Sequence, residues 1–213
     1  MILAIKNAIS ESDAGVADRI VRRTLAKREE EYADEVRRLL DAALEVMARC
    51  GTSSRPRVTD IVAAAGLSNE AFYRHFRSKD ALVTAILEDG AERLRSYLAH
   101  RLDKARSPEG EVRAWVEGVL SQADEDIAAT TLAVLWNGGS VGDVAGRHFA
   151  SSPVASLLHG PFAALGSDTP ELHAALAAHA TFGLLSDCLW RSVQPARAEV
   201  AEVVEFCLRA VRS

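Results

Sequence analysis

Cysteine is scarce in this sequence, and its spacing suggests no task for it. The 213 residues hold three cysteines, Cys50, Cys188 and Cys207, far apart and odd in number. With no CxxC pair, neither a disulfide framework nor a zinc ribbon is indicated. Among His148, His159, His173 and His179 there is no His-x-x-x-His pair, so neither a metal nor another cofactor is expected. No apolar run approaches the roughly 18 residues of a membrane span, and Lys6 and Asn7 cut Met1–Ile5 short of a signal sequence. A cytoplasmic chain with no membrane partner is the expectation. Period-two alternation is missing as well, which excludes a sheet and leaves an all-α fold.

Positive charge is in deficit overall, with a formal net of −5, but the deficit is local. Residues 107–213 carry six basic against thirteen acidic residues, a net of −7, while residues 1–106 carry nineteen against seventeen, a net of +2. Within 49–79 the basics are Arg49, Arg55, Arg57, Arg74, Arg77 and Lys79, opposed only by Asp60 and Glu70. A positive patch on an acidic body suits a protein that meets phosphate with one end. A chance cluster on a solvated face has the same composition.

Apolar residues recur at helical spacing. Val36, Leu39, Leu40, Ala43, Leu44 and Met47 line one face of a long helix that should end near Gly51. Two short helices are predicted over 59–65 and 69–76, then an amphipathic one from Lys79 to about Arg106. Further helices are expected at 109–123, 125–137, 143–166 with a break at Pro153 or Pro161, 170–193 and 196–212.

The segment from Val58 to Phe76 is the informative one. Ile61, Val62 and Ala65 give a short helix one apolar face, and Gly66 supplies the positive φ of a tight turn. Leu67 plugs the angle between helices and Ser68 caps the second. Phe72 and Phe76, four apart, face inward, which turns Asn69, Glu70, Tyr73, Arg74 and His75 outward. An exposed row of amide, phenol, guanidinium and imidazole on a two-turn helix is what a major groove requires of a recognition helix.

From Val36 to about Ile86 the sequence resembles the TetR family of bacterial regulators. The match lies in Leu40-Asp41-Ala42-Ala43-Leu44, in Asp60 to Ser68, and in Phe72-Tyr73-Arg74-His75-Phe76-Arg77-Ser78-Lys79-Asp80-Ala81-Leu82. The resemblance implies that Tyr73, His75 and Lys79 grip the phosphate backbone of operator DNA. It implies that Arg57 and Thr59 touch phosphate or a base, and that Asn69, Glu70 and Arg74, with Ser68 at the helix start, are available to read bases. It also implies a homodimer whose second domain takes a small apolar or amphipathic effector. Met47 and Thr52 stand where the family usually has aromatics, Val62 where alanine is common, and Arg57 where a Ser or Thr cap is usual.

The expected organisation is therefore a three-helix helix-turn-helix domain over 31–80, after an extension over 1–30, with a larger helical ligand-binding and dimerisation domain over 81–213. In the extension, Arg19, Arg22, Arg23, Lys27 and Arg28 read either as a disordered, solvated leader or as an arm for the minor groove. In the larger domain Trp115, Trp136, Phe149, His159, Phe162 and Phe182 are candidates to line an effector cavity, although each suits an ordinary core. Leu176, Ala180, Gly183 and Leu184, with Val203, Val204, Cys207 and Leu208, are candidates for the face between two copies. Gly138-Gly139-Ser140-Val141-Gly142 formally matches a hydrolase nucleophile elbow, but that elbow needs a strand before the serine. No enzyme is expected; a serine hydrolase and a regulator without effector are the alternatives.

Overall fold

The computed structural model describes residues 2–137 and 153–212, with side chains from residue 15 onward except those of 125, 126 and 212. Its helices are α1 (Ile2–Cys50), α2 (Val58–Ala65), α3 (Asn69–His75), α4 (Lys79–Leu102), α5 (Pro108–Leu120), α6 (Glu125–Asn137), α7 (His159–Ala164), α8 (Pro170–Arg191) and α9 (Arg197–Arg212). Two 3-10 turns, Ser121–Ala123 and Ala155–Leu158, join them, and there is no strand among the described residues. Phe149, His148 and the Ser140 segment lie outside those residues.

The helix boundaries follow local chemistry. Gly51 ends α1 at φ 55°, its N–H donating to Met47 O at 2.9 Å. Gly66 takes φ 64° after α2, and Arg38 of α1 donates to the carbonyls of Ala65 (2.6 Å) and Gly66 (3.2 Å). That clamp uses α2's orphan carbonyls to fix it on α1. Ser68, Ser78 and Ser107 cap α3, α4 and α5, each hydroxyl accepting an N–H at 3.1 Å. Asp60 accepts from the Arg57 N–H at 2.8 Å, so α2 is capped from inside its first turn and the Arg57 side chain stays free of that duty.

Two apolar cores result. The front one gathers Leu39, Ala43 and Met47 of α1, Ile61 and Val62 of α2, Phe72 and Phe76, and Leu82, Val83 and Ile86 of α4. The second gathers Leu98 and Leu102 of α4 with Trp115, Val116, Leu158, Phe162, Phe182, Leu185 and Leu208. Thus α4 has one end in each core, while residues 88–93 between them are exposed all round. Ala133 and Val134 of α6 are buried in the front core as well, giving a second rigid link. Gly118 lets α4 and α5 cross closely: a Cβ there would sit 2.5 Å from Leu98 Cδ2.

Two expectations are corrected. The leader is solvated but not disordered: from Ile2 it is one continuous helix with α1, exposed over residues 15–34. Val204, Cys207 and Leu208 do not face a partner. They are buried in the chain's own core, because that stripe of α9 is the one that meets α5 and α8. The outward side of this helix pair shows Leu172, Leu176, Gly183 and Phe206, of which Leu172 and Phe206 were not anticipated.

Candidate nucleic-acid interface

The local sequence builds α3 from behind. Phe72 is fully buried and Phe76 nearly so, their rings 5.8 Å apart, and Ala71 is buried beside them. With that face fixed, helical geometry leaves Asn69, Glu70 and Tyr73 in solvent. Tyr73 is 59% exposed, a large ring held outward with no core to fill. Arg57 and Thr59 are exposed at the start of α2, and Lys79 is half-buried at the first turn of α4 with no ion-pair partner among the described residues. The positive end of the α4 dipole reinforces the Lys79 ammonium as a place for a phosphate. Seven of the nine expected residues, Arg57, Thr59, Ser68, Asn69, Glu70, Tyr73 and Lys79, are solvent-accessible around α3 and the helix starts on either side, and make no ion pair among the described residues.

The other two are engaged within the chain. The His75 side chain is 1% exposed, so the expectation that it lines the outer surface with Tyr73 is wrong for this structure. Its Nε2 lies 2.6 Å from Glu35 Oε2, and since a carboxylate only accepts, the ring carries a proton there. Tyr32 closes over it edge-on, ring centroids 4.1 Å apart, and Nδ1 is buried without a hydrogen-bond partner. Arg74 is half-exposed, but its Nη2 donates to the same Glu35 oxygen at 2.5 Å. It is therefore not freely presented to base edges. Tyr32 and Glu35 were not singled out by sequence because they lie about forty residues before α3. The unbroken run of α1 through residue 32 brings them against the last turn of α3.

This cluster carries a pH signature. The His75 hydrogen bond, then that from Arg74, hold the Glu35 carboxyl below its ordinary 4.5. A carboxylate lowered on folding stabilises the fold above its unfolded value, and the contribution is lost as pH falls through the lowered value. The front domain should therefore melt at a steady temperature above pH 4.5 and at lower temperatures in more acidic buffer. In Glu35→Gln part of that acid sensitivity should vanish. Superimposable melting profiles for the two proteins from neutral to acidic pH would contradict the pairing.

The contacts also orient α1 against α3. Arg38 meets the turn before α3, whereas Glu35 and Tyr32 meet its last turn. The two helices lie alongside with opposite polarity, and α1 leaves the domain past the C-terminal end of α3.

The candidates for an effector cavity sit differently. Trp115, Phe162 and Phe182 are all buried in the second core; Trp115 touches Phe182 edge-on at 6.0 Å and donates from Nε1 to Val154 O at 2.9 Å. Trp136 is separate from them, partly exposed, with its ring 6.3 Å from Trp190, and His159 is half-buried at the start of α7. A shallow outer depression of 280 Å³ lined by Leu102, Asp103, Glu111 and Leu157 includes none of these residues. Burial raises the Cys188 thiol and pushes the Cys207 thiol up to about 11, which makes both poor nucleophiles. No group of three His, Cys, Asp or Glu among the described residues is placed to hold a metal, and no described helix is long and apolar enough to cross a membrane.

Comparison with known proteins agrees with this anatomy. Residues 39–86, which span the front core from Leu39 to Ile86, match the family described as bacterial regulatory proteins, tetR family. No curated protein matches the chain. Among solved structures, a protein from Mesorhizobium loti assigned to the TetR family of transcriptional regulators is 16% identical, covering 84% of this chain and 96% of its own, with a TM-score of 0.63. A transcriptional regulator from Pseudomonas aeruginosa PAO1 is 23% identical over 87% of this chain and 89% of its own, TM-score 0.58. The regulator FadR from Bacillus subtilis, solved with stearoyl-CoA, is 16% identical over 83% and 97%, TM-score 0.52. At such identities the structures speak for the fold, and the matched segment speaks for the domain. Residues 39–86 of this chain are thus similar to the bacterial regulatory proteins of the tetR family, and the chain shares the fold of the solved regulators.

Proposed function

We propose that this regulator binds a pseudo-palindromic operator as a homodimer and is released from it by a small molecule. The observation that carries the reading is the split of α3 into a buried phenylalanine face and an exposed face of Asn69, Glu70 and Tyr73. Each copy would set α3 in a major groove, the two about 34–36 Å apart. Tyr73 and Lys79 hold phosphate and set the register; Asn69 and Glu70 reach base edges. Dimerisation is supported by Leu172, Leu176 and Phe206, three large apolar side chains left in water on the outward side of α8 and α9.

Release is supported by the two links between the cores. A small molecule that favours a different seating of α4 or α6 in the second core changes the spacing of the two reading heads, by no more than its differential affinity for the two arrangements. FadR, of the same fold, was solved with stearoyl-CoA, which makes an apolar or amphipathic effector the first class to try. The tight burial of Trp115, Phe162 and Phe182 favours a second reading, a regulator whose core is already full and which needs no effector. Thermal shift against acyl-CoA esters and apolar drugs separates the two: a raised melting temperature supports the first, and none across the panel supports the second.

The DNA reading is tested by salt titration. Tyr73→Ala and Lys79→Ala should each reduce affinity on every duplex, and Lys79→Ala, which removes a cation, should also flatten the slope of log K against log salt by about 0.9, one phosphate's worth. Asn69→Ala should leave the slope alone and narrow the gap between preferred and random sequence. Unchanged affinity in both Tyr73→Ala and Lys79→Ala would contradict the docking.

A further inference from the structure

The α1 extension has a charge pattern that the helix-turn-helix does not use. Residues 19–28 contain Arg19, Arg22, Arg23, Lys27 and Arg28 and no carboxylate, and every residue from 15 to 34 is exposed. Arg19, Arg22, Arg23 and Lys27 fall at i, i+3, i+4 and i+8, so they form one basic stripe along the helix. Lys27 shares its charge with Glu31 at 3.6 Å, whereas Arg19, Arg22 and Arg23 have no ion-pair partner among the described residues. The stripe is locally basic in a chain with five more carboxylates than basic residues.

Because α1 leaves the domain past the last turn of α3, the extension starts beside the recognition helix. At about 1.5 Å per residue, Arg19 lies about 20 Å beyond Tyr32 along the axis. Residues 29–35, rich in Glu and Asp, lie between the stripe and α3; phosphate repels them, so a contact with DNA begins beyond them.

We propose that Arg19, Arg22 and Arg23 form a second DNA-binding surface, a helical strut that takes duplex phosphates flanking the site gripped by α3. It rests on the DNA reading given above and extends it. A helix about 10–12 Å across cannot enter a minor groove about 6 Å wide. The strut therefore lies against the sugar-phosphate backbone and adds affinity without sequence preference. It lengthens the stretch of duplex each copy protects on the α1 side.

The test compares the full chain with Arg19→Gln/Arg22→Gln/Arg23→Gln on a random duplex of about 40 base pairs, roughly four helical turns. Glutamine matches arginine in helix propensity, so circular dichroism should be unchanged. The slope of log K against log salt should fall by up to about 2.7, three phosphates at about 0.9 each. A control with the same charge change in the body, Arg113→Gln/Arg191→Gln/Arg197→Gln, should keep the parental slope. Parental binding with equal slopes in the arm variant and the parent would overturn the strut alone. Equal losses in arm and body variants would overturn it too, by reducing it to net charge. A parent that binds no duplex at any salt would overturn the DNA reading and the strut together.

Discussion

Phe72→Ala should cost the front domain about 3–5 kcal/mol, the usual penalty for emptying a fully buried aromatic site. Phe72 is at 0% exposure, with its ring centroid 5.8 Å from that of Phe76 and 5.2 Å from that of Tyr73. A loss of that size should lower the melting temperature by about 2–4 °C per kcal/mol in a chain of this length. Operator binding would go with it, because this face is the apolar anchor of α3, and the Glu35 contacts hold only its last turn. Tyr73→Ala, one residue along, is the contrast: an exposed side chain whose removal should leave stability within about 0.5 kcal/mol while weakening DNA binding. Thermal melting and DNA titration of the same two proteins read the difference. If Phe72→Ala kept the parental melting temperature, the buried face would have been assigned wrongly.

The second large effect belongs to the outward side of α8 and α9. Leu176 is 47% exposed and Phe206 54%. Leu176→Glu/Phe206→Glu should convert a dimer to a monomer in sedimentation, with little change in helix content, since neither side chain fills the chain's own core. On a duplex with two half-sites the monomer forfeits the second, linked binding event, so affinity should fall about 10²–10⁴-fold. On a single half-site the loss should be small. A variant that still sediments as the parent does would place the interface elsewhere.

The parts of this account that the sequence carried are those with a local cause. Gly51, Gly66, Ser68, Pro108 and Pro170 each act within one turn of a helix, and the ends they imply are where α1, α2, α3, α5 and α8 stop or start. The buried pair Phe72 and Phe76 and the exposed Asn69, Glu70 and Tyr73 follow from helical spacing alone. What sequence did not reveal depends on partners far along the chain. His75 looked outward-facing by period, but Glu35 and Tyr32 enclose it, and nothing near residue 75 signals them. The α9 stripe of Val204, Cys207 and Leu208 was visible as a stripe; which neighbour covers it is a tertiary fact, and α5 and α8 turned out to do so. The leader has the charge of a solvated tail, yet its alternating blocks of Arg and Glu also satisfy a helix, as in the Lys27–Glu31 pair.

The claim on which the rest depends is that the outer face of α3 touches the duplex. Replacing Tyr73 by a benzophenone amino acid puts a photoreactive ring on that face, where 59% exposure leaves room for it. The same replacement at Tyr97, on α4 in the second core's reach and 40% exposed, is the matched control. On irradiation with bound duplex, the ring at position 73 should crosslink to DNA and the ring at 97 should not. Crosslinking from 97, with none from 73, would contradict the docking outright.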